Sequence, residues 1–150
     1  MAEQAVICVG NRARTDDGVG PVIADELSAR GLDIAVHITG GEPAELIDLW
    51  SGLDRVVIVD AVLTGHSAPG TVHLISASHE SIDLGTQAST HGLGLAESIE
   101  LGRSLNQLPA EVQVVGIEAS DLTPGTGLTP AVEASVPAAV ATVLSEVSRA

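Results

Sequence analysis

A chain of 150 residues with a 45% hydrophobic share has the size and core-forming capacity of one compact domain, and residues 1–150 are read as that unit. Its net charge of −14, from 20 acids against 6 arginines, repels nucleic acid and anionic membranes, so neither is an expected partner. With no lysine the chain excludes a Schiff-base mechanism, a P-loop and a lysine base, and its single aromatic residue, a tryptophan, leaves little for an aromatic ligand cage.

No apolar run approaches the roughly 18 residues needed to span a bilayer. The opening MAEQAVICVG lacks the basic start and cleavage site of a signal peptide. A lone cysteine, Cys8, excludes an internal disulfide framework and fits a reducing compartment, so a cytoplasmic location is expected.

Apolar β-branched runs alternate with amphipathic stretches, the pattern of a mainly parallel α/β sheet. Ala5–Val9 reads as a buried strand, followed by a glycine-punctuated loop. A helix from about Val19 to Arg30 carries Val19, Val22, Ile23 and Leu27 on one face. Ile34–Ile38 is a short second strand. Pro43 suits a first helical position, and Leu46, Leu49, Trp50 and Leu53 give that helix its apolar stripe. Arg55–Asp60 (RVVIVD) is the clearest central strand. After the turn Ala68-Pro69-Gly70, Thr71–Ile75 is a further strand, whose short connection suits an antiparallel neighbour. A third helix is expected from His91 to about Leu105, a strand at Val112–Ile117, and a last helix at Ala131–Val147. Pro137 within that helix predicts a kink or a later start.

Open α/β sheets deliver functional groups at the carboxyl ends of their strands. Asp16 and Asp17, in the loop after the first strand, and Asp60, ending the central one, gather there. His91 opens the third helix behind Ser89 and Thr90, both good capping types. A helix N-terminus disfavours imidazolium, leaving His91 neutral and able to ligate a metal or accept a proton. Two carboxylates and one imidazole make a divalent site with too few ligands to be closed, which suits catalysis or substrate docking. Each residue also has a plain structural alternative. One of Asp16 and Asp17 is expected to cap the first helix, Asp60 can bond loop amides, and His91 can simply start a helix. His37, His66, His73 and His79 sit on strands or loops and read as structural or solvent-facing. Cys8, inside an apolar strand, reads as core rather than nucleophile. The glycines from Gly10 to Gly20 are mis-spaced for a dinucleotide fingerprint, and two aspartates stand where pyrophosphate needs amides.

Several blocks taken together resemble the nickel–iron hydrogenase maturation endopeptidases. They are Val9-Gly10-Asn11, Thr15-Asp16-Asp17-Gly18-Val19-Gly20, Ile58-Val59-Asp60-Ala61, Ala68-Pro69-Gly70-Thr71, Thr90-His91 with Gly94-Leu95, and Gly127-Leu128-Thr129-Pro130 with Glu133. The resemblance implies a three-layer α/β/α sandwich with a mixed, mostly parallel five-stranded sheet. It implies removal of a C-terminal peptide from a hydrogenase large-subunit precursor, the expected partner, after nickel insertion. By motif match the metal-contacting and catalytic residues fall on Asp17, Asp60 and His91. The metal implied is the nickel of the substrate, with zinc or cadmium as substitutes in vitro, and no organic cofactor is implied. The sequence departs from the family pattern in three places. Cys8 stands at the first glycine of a usual G-x-G-N, Asp17 where glutamate is frequent, and Thr39-Gly40-Gly41-Glu42 where Asp-Gly-Gly-Thr is frequent.

Two rival functions share parts of this layout. Response-regulator receivers also place an acid pair after strand one and an aspartate after strand three. They resemble one another, however, in an essential lysine, and their acid pair ends the strand directly, whereas Gly10–Thr15 intervene here. A non-catalytic nickel-binding chaperone could use the same three ligands, and only a cleavage assay separates it.

Overall fold

The computed structural model describes residues 3–79, 82 and 94–149. In chain order these form β1 (Gln4–Val9), a 3₁₀ turn (Thr15–Gly18), α1 (Val19–Ser28), β2 (Ala35–Thr39), α2 (Pro43–Trp50), β3 (Arg55–Val62), β4 (Val72–Ser76), α3 (Leu95–Ser104), β5 (Glu111–Glu118) and α4 (Pro130–Val147). The sheet order is β2-β1-β3-β5-β4, with β2, β1, β3 and β5 parallel and β4 antiparallel at the edge. This is the expected mixed, mostly parallel five-stranded sheet.

β3 and β1 are buried along nearly their whole length, because helices cover both faces of the sheet. Side chains alternate between the faces. Val6, Cys8, Val57, Val59, Val115 and Ile117 pack under α1 and α4, while Ile7, Val56, Ile58, Val112 and Val114 pack under α2 and α3 with Trp50. By the same alternation Asp60, in step with Val56, Ile58 and Val62, belongs to the α2–α3 side. No helix among the described residues is long and apolar enough to cross a membrane.

Four details differ from the sequence reading. β3 continues two residues past Asp60 to Val62, so Asp60 is not the last residue of the strand. β4 is antiparallel as expected, but its neighbour is β5, which inserts between it and β3. That order also departs from the 2-1-3-4-5 order of the receiver fold. The third helix begins at Leu95, behind an extended Gly94 (ψ 175°), and not at His91, which lies outside the described residues. α4 starts with Pro130 in its first turn and runs through Pro137, so the later start does not occur.

The amino ends of the strands are fastened by Arg55, only 3% exposed. Its Nε donates to Glu111 at 2.9 Å and Nη2 to Glu146 at 3.1 Å, and Nη1 donates to the Glu146 carbonyl. This buried ion pair ties β3 to the end of α4 and leaves the opposite, carboxyl edge to carry the loops.

Candidate active site

The carboxyl edge is organised by two glycines that allow backbones to touch. A Cβ on Gly10 would lie 2.0 Å from the Asp17 carbonyl oxygen, and one on Gly20 would lie 2.3 Å from that of Val9. Gly10 therefore lets the loop after β1 fold back on the 3₁₀ turn, while Gly20 lets α1 start directly against β1. With Cys8 at the position of the other frequent glycine, Gly10 alone performs this task. Gly10→Ala should destabilise the protein by roughly 2–3 kcal/mol, as overpacking against backbone does, and should displace Asp17. Denaturant unfolding checks the first effect and a crystal structure of the variant the second.

The loop is then clamped from across the sheet. Thr15 sits at φ 50°, a conformation that costs a β-branched residue on the order of 1–3 kcal/mol. It is held there by donating from its hydroxyl to the Thr123 carbonyl at 2.7 Å and from its amide to the Gly125 carbonyl at 3.0 Å. Asp16 is fully buried. Its carboxylate accepts from the amides of Ser120 (2.8 Å), Asp121 (3.0 Å) and Thr129 (2.8 Å), and from the Thr129 hydroxyl at 2.8 and 2.9 Å. Asp16 is thus the structural member of the acid pair. It joins the first loop to the segment after β5 and does not cap α1, whose cap position, Gly18, makes no side-chain bond.

Asp17 is placed differently. Its side chain is 19% exposed, it accepts the Asn11 amide at 3.0 Å, and Arg14 approaches its carboxylate to 3.9 Å. Burial pushes its carboxyl above the usual carboxylate range, against the opposing pull of Arg14 and the Asn11 amide. The 3₁₀ turn carrying Asp17 packs against β3, the strand carrying Asp60, which is 5% exposed. Asp17 and Asp60 therefore share the carboxyl edge of the sheet. His91 lies outside the described residues, and among those described no cluster of three histidine, cysteine or acidic side chains is poised to hold a metal.

Other polar groups at this edge have structural partners. Thr39, in the segment that departs from the family pattern, accepts the Gly41 amide at 3.2 Å and donates to Glu45, tying β2 to α2. Glu118, at the end of β5, is 1% exposed and was not singled out from the sequence. It accepts the Thr64 hydroxyl (2.6 Å) and amide (2.8 Å) and lies 3.1 Å from Nε2 of His73. Burial raises its carboxyl, but the bonds from Thr64, His73 and Gly65 outweigh that and hold it below the usual range. His73 thus has an acidic partner that local sequence did not reveal. The available signal was an acid after the apolar run VQVVGI, as Asp60 follows VVIV, with the pairing of β4 to β5 then bringing His73 to it. Glu118 fixes the loop leaving β3.

Cys8 is fully buried, and burial, helped by the charge of Asp25, pushes its thiol up to about 12. At neutral pH it is protonated and shielded, the opposite of a reactive thiolate. Cys8→Ala should leave activity within about twofold while costing on the order of 1 kcal/mol for the lost buried sulfur. Thiol alkylation of the native protein should be slow, and an activity rate measured with and without alkylating reagent checks both points.

The chain matches the hydrogenase maturation protease family over residues 23–146, a range containing Asp60 and His91. It is 32% identical over 143 residues to the hydrogenase 2 maturation protease of Escherichia coli strain K12, covering 93% of this chain and 87% of that protein. Its fold is similar to that of the hydrogenase maturating endopeptidase HybD from E. coli, with a TM-score of 0.79, 28% identity, and coverage of 98% of this chain and 93% of that one. It is likewise similar to the NiFe hydrogenase maturation protease HybD from Thermococcus kodakarensis, with a TM-score of 0.76, 26% identity, and coverage of 95% and 97%. By sequence and by fold, the chain belongs to the hydrogenase maturation protease family and is a peptidase.

Proposed function

We propose that this peptidase removes the C-terminal extension of a nickel–iron hydrogenase large-subunit precursor after nickel insertion, and that the substrate's own nickel is met by Asp17, Asp60 and His91. The observation that carries the reading is the division of labour in the acid pair. Asp16 has its carboxylate taken up by the segment after β5, whereas Asp17 keeps a partly exposed carboxylate at the sheet edge it shares with Asp60. A carboxylate held above its usual range binds protons more readily than a solvated one, which suits taking a proton from water during attack on a peptide carbonyl. Contact with the nickel sets the scissile bond beside these groups, so loading of the precursor and its cleavage are coupled without any resident cofactor. Asp17 comes from the 3₁₀ turn and Asp60 from β3, so the two carboxylates share one edge only in the folded chain.

Incubation of the protein with nickel-loaded and nickel-free precursor, followed by mass analysis of the precursor's C-terminus, tests this reading. Trimming of the loaded form alone is the expected result. Equal trimming of both forms would remove the role of nickel, and binding without trimming would favour the chaperone alternative.

A further inference from the structure

On the other side of the sheet from Asp60, a groove of about 550 Å³ opens between α1, α4 and the loop before α4, with Thr15 and Gly18 of the 3₁₀ turn at one end. Pockets of roughly 300–1,000 Å³ are those that take ligand-sized groups. Its floor is apolar, from Val22, Leu128, Val136 and Pro137, and its rim carries Glu26 and Glu133. The one cation on the rim among the described residues, Arg12, is already engaged by both carboxylate oxygens of Asp25, at 2.9 and 3.0 Å. Among the described residues neither glutamate has an ion-pair partner, so the rim is a net acceptor of positive charge. The backbone adds to this. Pro137 has no N–H, so the carbonyl of Glu133 is deprived of its ordinary helical donor at the position where both residues line the groove.

We infer that this groove is a docking site for an extended segment of the precursor in which an apolar side chain is flanked by lysine or arginine. The apolar side chain fills the floor, and the basic group meets Glu26, Glu133 and the Glu133 carbonyl. The inference rests on the functional reading above for the identity of the partner. It adds a second point of attachment, separated from Asp60 by the sheet and joined to Asp17 through the turn whose residues Thr15 and Gly18 line the groove. Two attachment points hold the precursor in register, so that binding energy far from the scissile bond positions it. A second copy of this chain is disfavoured as the occupant, since two chains of net charge −14 repel each other.

The test uses Glu26→Lys and Glu133→Lys in the full chain, both at exposed positions, with nickel-loaded precursor as substrate. Each is expected to raise KM about fivefold and the pair more, with kcat within twofold, because a rim charge acts on encounter and binding. A second measurement exploits the inert Cys8: Glu26→Cys, labelled with a benzophenone maleimide, is expected to crosslink to a precursor segment bearing a lysine or arginine beside an apolar residue. If the wild type cleaves and neither charge reversal moves KM, or if the crosslink maps to an acidic segment, the docking site is wrong and the functional reading stands. If the wild type cleaves no precursor, the functional reading fails and takes the docking site with it. A doubling of the wild-type mass in solution that Glu133→Lys abolishes would give the groove to a second copy and overturn the inference.

Discussion

Asp17→Asn, Asp60→Asn and His91→Ala should each slow precursor cleavage by about a thousandfold while the protein stays cooperatively folded. Contact with a divalent ion is worth several kcal/mol in the transition state, and about 4 kcal/mol is a thousandfold in rate. The variants should separate in stability. The Asp17 carboxyl is held above its unfolded value by burial, so the folded state binds its proton more tightly and stability is lost as pH rises through that raised value. Asp17→Asn removes this cost, so the variant should be equal to or more stable than the parent at neutral pH and lose that advantage below the ordinary aspartate range. Single-turnover cleavage and chemical denaturation at two pH values measure both effects. Normal processing by Asp17→Asn together with failure of Asp16→Asn would reverse the roles assigned to the adjacent aspartates.

Asp16→Ala should be the most destabilising single change at this edge. It strands the part-buried amides of Ser120, Asp121 and Thr129, and an unpaired donor costs up to about 1–3 kcal/mol as its burial approaches completeness. With some relief from water, a total of roughly 3–5 kcal/mol is expected, equivalent to a fall in Tm of about 10 °C for a chain of this size. The segment after β5 is then no longer held to the first loop, and Thr15 loses the support for its positive φ. Activity should fall with the fold, and Asp16→Asn, which keeps one acceptor oxygen, should recover part of both. A calorimetric scan showing a parental Tm for Asp16→Ala would contradict the clamp.

Much of the fold was legible in the sequence, because burial on both faces writes itself locally. RVVIVD and AVICV are continuous apolar runs that only a central strand accommodates, and the Val19, Ile23 and Leu27 spacing marks the covered face of α1. The features that escaped depend on partners far along the chain. Nothing near Thr71–Ile75 says that β5, some forty residues later, will be its neighbour. Ser89 and Thr90 have the chemistry of caps, yet α3 begins behind Gly94, so cap types alone misplaced its start. Asp16 and Asp17 are chemically identical and adjacent. Only amides at Ser120, Asp121 and Thr129, more than a hundred positions away, distinguish them. The His73–Glu118 contact is hidden for the same reason, since it exists only once β4 has paired with β5.

The most direct test of the central claim is to crystallise the protein with zinc or nickel and locate the ion by anomalous scattering. One ion is expected to touch the side chains of Asp17, Asp60 and His91, with distances of about 2.0–2.2 Å if zinc is bound. Occupancy should fall at acid pH as the ligands take up protons. An ion bound away from these three, or a His91 ring on the opposite edge of the sheet from Asp17 and Asp60, would contradict the site even with the fold and family unchanged.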